Sequence, residues 1–182
     1  MIFTKLDIEG LVVIEPSVFG DDRGFFLESY NQKVFTENGI DVNFVQDNHS
    51  RSVKGVLRGL HFQKPPFAQD KLVRVTRGEV LDVAVDIRPD SPTFGKYHAV
   101  LLSEENKKMF FISKGFAHGF LVLSDIVDFQ YKCSNLYSKE SEGGILWNDT
   151  DLNIDWPQKE NLIISPKDLL WPTFKNLEKI NW

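Results

Sequence analysis

The chain has 182 residues, 42% of them apolar, enough to bury a sizeable core and too many for a disordered segment. Its formal net charge of −5 argues against a nucleic-acid binder, which carries a basic stripe, yet leaves room for a nucleotide ligand that needs only a few local cations. The single Cys133 excludes an internal disulfide and a cysteine-based metal cluster and suggests a reduced, cytoplasmic setting; no apolar run reaches membrane-spanning length, and the opening residues do not read as a signal peptide.

In chain order, residues 2–15 read as a strand pair whose edge suits pairing with a partner's sheet. Asn31 is placed to cap a short helix over residues 32–38 that stops at Gly39. From there turn signals recur at short spacing, including Pro65-Pro66, Gly78, Pro89 and Gly115, with alternating apolar runs between them. That is the pattern of an all-β sandwich or barrel with few helices, in one domain over residues 1–182. Residues 72–77 and 80–88 read as a hairpin turning at Gly78-Glu79. Its second arm sets Leu81, Val83, Val85 and Ile87 on one face and Asp82, Ala84 and Asp86 on a polar one. Residues 119–123 and 126–133 read as a second hairpin, with Val127, Phe129, Tyr131 and Cys133 on one apolar face. Ser165 and Pro166 fit a helix start, and residues 174–180 a last short helix.

The chemistry concentrates around His61, which lies on a strand between Arg58 and Lys71. A base framed by cations suits binding an anion and removing a proton beside it, although a strand histidine is by default a packed core residue. Strict alternation sends Arg58 and His61 to opposite faces, and Gly59 offers a bulge that would bring them together. Lys71 is either a solvated strand-end lysine or a fixed cation for an enolate or phosphate. Tyr131 is either core or a proton donor. Asp168 fits a capping box with Ser165, or the orienting acid of a His–Asp pair. Residues 115–119 resemble half of a cupin metal signature, but His61 is followed by Phe62 and Gln63 in place of the further ligands. Metal-free acid–base chemistry is therefore expected. A dinucleotide fingerprint, a P-loop and a nucleophile elbow are all missing.

Taken together, several segments resemble the dTDP-4-dehydrorhamnose 3,5-epimerase family. They include Asp22-Arg23-Gly24-Phe25-Phe26-Leu27-Glu28, Gln46-Asp47-Asn48-His49-Ser50 and Leu57-Arg58-Gly59-Leu60-His61-Phe62-Gln63. Lys71-Leu72-Val73-Arg74-Val75, Gly115-Phe116-Ala117-His118-Gly119, Tyr131 with Tyr137, Asp155-Trp156-Pro157 and Lys167-Asp168 continue the match. The resemblance implies a cupin-like jelly roll with a few short peripheral helices, no cofactor or metal, a homodimer, and a dTDP-4-keto-6-deoxyhexose substrate. It implies His61 as the base oriented by Asp168, Tyr131 as the acid, and Lys71 as the cation beside the C4 oxygen. It places Arg23, Glu28, Gln46, Asp47, Asn48, Arg58, His118, Glu142 and Lys167 in substrate binding, with Asp82 as a further pocket residue. Asp70, where the family carries Gly, is expected to alter the charge beside Lys71; Ser113-Lys114 and Thr150 read as loop substitutions. An epimerase of C3 or C5 only, and a non-catalytic nucleotide-sugar-binding jelly roll, remain as alternatives.

Overall fold

The computed structural model describes all 182 residues. Strands β1 (Ile2–Lys5) and β2 (Leu11–Glu15) open the chain, followed by a two-stranded ribbon of β3 (Val18–Asp21) and β4 (Gly24–Leu27). Helix α1 (Gln32–Glu37) begins at Asn31, whose side chain accepts from the Val34 N–H, and the chain leaves it through Gly39 at φ +87°. Then come β5 (Gln46–Val53), β6 (Val56–Gln63), β7 (Lys71–Arg77), β8 (Glu79–Asp86) and β9 (Tyr97–Ser103). The last strands are β10 (Met109–Ile112), β11 (Phe116–Val122), β12 (Ile126–Cys133), β13 (Glu142–Gly144) and β14 (Ile163–Ile164).

Two antiparallel sheets face each other. The first runs β1-β2-β10-β7-β12-β5 and the second β13-β6-β11-β8-β9, with β14 added parallel to β6. The result is a cupin-like jelly-roll sandwich whose sheets do not close into a barrel. Its central layer is apolar: Val73, Phe110, Val127 and Phe129 from the first sheet meet Val80, Leu102, Phe120 and Val122 from the second. Burying a side chain such as Phe129, 1% exposed, contributes roughly 1.5–3 kcal/mol. The outer face of the first sheet is covered by α1 through Phe35, and that of the second by the C-terminal stretch through Ile145, Ile154 and Trp156.

Both expected hairpins turn out to be crossings. Strand β7 belongs to the first sheet and β8 to the second; β11 and β12 divide in the same way. A short link with a tight turn serves equally well to pair two strands or to carry the chain across a sandwich, so alternation alone does not separate the two. The supposed polar face of β8 also proves to be the interior face: Asp82, Ala84 and Asp86 are each 0% exposed. Leu81, Val83 and Ile87 are covered by the C-terminal stretch instead. The helix expected at Ser165 is only a turn, in which the Asp168 N–H donates to the Ser165 carbonyl. The final helix shrinks to one 3-10 turn at Phe174–Asn176.

Candidate active site

One end of the sandwich replaces the apolar filling with polar side chains, and strand alternation determines which ones. On β12, Tyr131 and Cys133 continue the inward row of Val127 and Phe129, and Lys71 continues the row of Val73 and Val75 on β7. Opposite Tyr131 and Cys133 on the edge strand β5 stand Asn48 and Gln46. These two are joined side chain to side chain at 3.1 Å, and Asn48 also donates to the Cys133 sulfur at 3.7 Å.

The second sheet contributes through a bulge. On β6, His61 pairs with His118 of β11 while Arg58 pairs with Phe120, so Gly59 and Leu60 together oppose the single Gly119. Leu57 and Leu60 therefore both pack in the cluster beneath the outer face, and Arg58 and His61 share the inner side. Only glycine fits here. Gly59 has φ +123°, and a Cβ on it would lie 2.6 Å from the Gly119 Cα.

His61, Lys71, Tyr131, Gln46, Asn48 and Glu142 line one recess, joined by Gln63, Gln69, Cys133 and Tyr137. Asp168 reaches it from the turn after β14. Its Oδ1 lies 2.6 Å from His61 Nε2, and its Oδ2 accepts from the Gly59 N–H at 3.3 Å. This carboxylate, 3% exposed, keeps the imidazole proton on Nε2 and leaves Nδ1 as the open lone pair. Burial pushes Asp168 up, but the His61 hydrogen bond and charge, with the Gly59 and Trp171 N–H groups, outweigh it and hold the carboxyl below its ordinary range.

Electrostatics divide the remaining roles. Burial raises the Tyr131 phenol, further raised by Cys133 and only partly offset by Arg58, so it carries its proton at neutral pH. Burial lowers the Lys71 ammonium against the opposing pull of Cys133, Asp82 and Glu142. Behind it, His118 Nε2 lies 3.0 Å from both oxygens of the fully buried Asp82. Burial lowers His118, and the nearby Lys71 and His61 add to that against Asp82. Glu142 accepts from the Tyr137 hydroxyl at 2.9 Å and pairs with Lys167; these contacts outweigh its burial and keep it ionised.

Not every expected residue reaches the recess. Asp47 alternates away from Asn48 to the outer face, where it accepts from Lys132 at 2.9 Å. Arg23 pairs with Asp21 on the exposed β3–β4 ribbon, and Glu28 accepts from Asn31, both outside this chain's recess. His118 stands behind Lys71 with Asp82 and does not line the opening. Arg58 donates to Ser52 at 3.1 Å on the inner side. Asp70 does not disturb Lys71: its carboxylate turns aside to accept from the Lys114 N–H and the Ser134 hydroxyl. Gln63 and Gln69 carry no role expected from the sequence, yet both line the recess. Gln63 was legible by alternation from His61, whereas Gln69 lies in a loop with no periodic signal. No three His, Cys, Asp or Glu side chains converge as a metal site.

The chain is similar along most of its length to proteins of one family. The family model described as dTDP-4-dehydrorhamnose 3,5-epimerase matches residues 5–176. The enzyme of that name from Escherichia coli is 63% identical over 90% of this chain and 89% of its own length. The one from Methanothermobacter thermautotrophicus is 54% identical over 93% and 92%. Among solved structures, a 3,5-epimerase from Legionella pneumophila in complex with dTDP-4-keto-L-rhamnose superposes with a TM-score of 0.93 at 52% identity, covering 97% of this chain and 94% of that one.

Proposed function

The chain belongs to the dTDP-4-dehydrorhamnose 3,5-epimerase family, and from that premise we propose how its own residues carry the reaction. It is an isomerase of dTDP-rhamnose synthesis, inverting C3 and C5 of dTDP-4-keto-6-deoxy-D-glucose to give dTDP-4-keto-L-rhamnose. The C4 ketone acidifies the C–H bonds at both neighbours. His61, through Nδ1, takes the proton, and Asp168 supports the imidazolium that forms. The electron pair moves onto the C4 oxygen, where the Lys71 ammonium stabilises the enolate more than the ketone. Tyr131 returns a proton from the other face. Each acid–base group of this kind contributes about 10²–10⁴-fold. The substrate's ketone accepts the electron pair, so no cofactor or metal is called for.

The observation that carries this reading is that His61 comes from one sheet and Tyr131 from the facing sheet, into one recess that also holds Lys71. A base and an acid on facing walls are what inversion requires. Gln46, Asn48, Arg58, Glu142 and Lys167 hold the nucleotide and sugar, with Tyr137 and its hydroxyl on Glu142 at the mouth. Proton NMR of the keto-sugar nucleotide in D₂O tests the assignment. His61→Ala is expected to abolish deuterium entry at C3 and C5. Tyr131→Phe should keep exchange and lose inversion. Native exchange rates in His61→Ala would remove His61 as the base.

A homodimer is part of the proposal. The β3–β4 ribbon stands away from the sandwich with Phe19, Phe25 and Phe26 between 63% and 69% exposed, an apolar surface suited to a second copy. Arg23 and Glu28, which cannot serve their own chain's recess, would then serve the partner's. The nucleotide-sugar substrate and the free, buried Cys133 suit the cytoplasm. No helix is long and apolar enough to cross a membrane.

A further inference from the structure

Asp168 has three donors, of which only His61 has a part in the reaction as described. Besides His61 and the Gly59 N–H, its Oδ1 accepts from the indole Nε1–H of Trp171 at 3.3 Å. We infer that Trp171 is a positioning residue for the epimerisation, holding the Asp168 carboxylate and, through it, the ring of His61. The inference rests on His61 being the base.

Asp168 is 3% exposed, so solvent does little to complete its shell. Without the indole, Oδ1 is anchored only by the imidazole it is meant to orient. The same indole stands edge-on to His61, with ring centroids 6.2 Å apart and planes at 71°. Lys167 Nζ lies 5.5 Å from its ring centroid, and Lys167 pairs with Glu142. One side chain thus touches the base, its orienting acid and a binding cation.

Gly144 supplies a second and independent indication. It pairs in register with His61 across β13 and β6. Its backbone is not among the positive-φ glycines, so no conformational need explains it. What a side chain there would meet does explain it: a Cβ would lie 2.5 Å from the Trp171 ring. The strand beside the base is bare at the place where the indole passes.

Trp171→Phe keeps an aromatic ring while removing the N–H together with one ring of the indole. It should lower kcat about tenfold, as expected for one hydrogen bond to a charged group, with KM within about twofold of native. In an Asp168→Asn background the same substitution should cost little further, because groups acting through one another are non-additive. Gly144→Ala, which pushes a methyl into the indole, should reproduce the loss with Trp171 still present. The Trp171 indole N–H resonance should shift between the native protein and Asp168→Asn. Native kcat in Trp171→Phe, an equal loss in both backgrounds, or an indole resonance unmoved by Asp168→Asn would overturn the inference while leaving His61 as the base. Exchange surviving in His61→Ala would instead remove the reading on which it rests.

Discussion

Lys71 and Tyr131 sit in one recess, and burial moves them in opposite directions because it penalises whichever form is charged. The ammonium is pushed down and the phenol up. The proton that Tyr131 donates is thereby kept, while the charge that Lys71 supplies becomes easier to lose as pH rises. The alkaline limb of the exchange reaction is accordingly expected to report Lys71. In Lys71→Arg, whose guanidinium stays charged, that limb should move to higher pH even though the slower rate reflects imperfect placement. A pH–rate profile for both proteins checks this; an unmoved limb would assign it to another group. At this scale the residue types were legible from the sequence, since His61, Lys71, Tyr131 and Asp168 are the right kinds for enolate chemistry. The Asp168 contact was implied only by the family resemblance, because local pattern does not span the 107 positions that separate it from His61.

Among the elements, β6 carries the most, and it depends on Gly59. Gly59→Ala would place a methyl 2.6–2.8 Å from the backbone of residues 118 and 119, in a strained φ region as well. A destabilisation of about 3 kcal/mol is expected from the two effects together, measured by urea unfolding. Activity should fall further than the folded fraction does, since the register that gathers Arg58 and His61 on one side would be disturbed. A loss of activity matching only the unfolded fraction would show that the bulge serves stability alone. The strand carrying His61 was legible, and so was its bulge, as a glycine between two residues that needed the same face. Which strands pair was not legible. A turn such as Gly78 or Ser124-Asp125 looks the same whether it closes a hairpin or carries the chain to the other sheet.

For the whole molecule, the exposed phenylalanines of the β3–β4 ribbon are the feature a lone chain leaves unresolved. Phe26 is 69% exposed and Phe19 66%, on a ribbon that also carries Arg23. Replacing Phe19 and Phe26 by Ser should shift the protein from dimer toward monomer in sedimentation velocity at micromolar concentration. It should raise KM as well, because the proposed dimer is what would bring Arg23 and Glu28 to the partner's recess. A native protein that sediments as a monomer would overturn the dimer.

By itself the sequence determined the all-β class, the inward row of β12, the first helix with its Asn31 cap, and the chemical kinds present. All of these follow from local periodicity and turn chemistry within a few residues. Only the tertiary structure decided that β7 and β8 part to opposite sheets and that Asp82 lies in the interior beside His118. It also decided that Asp47 faces away from the recess, and that Trp171 folds back onto Asp168 and His61. Those outcomes depend on contacts between segments far apart in the chain, where burial and hydrogen-bond satisfaction are settled jointly by both partners and neither segment's pattern carries the answer.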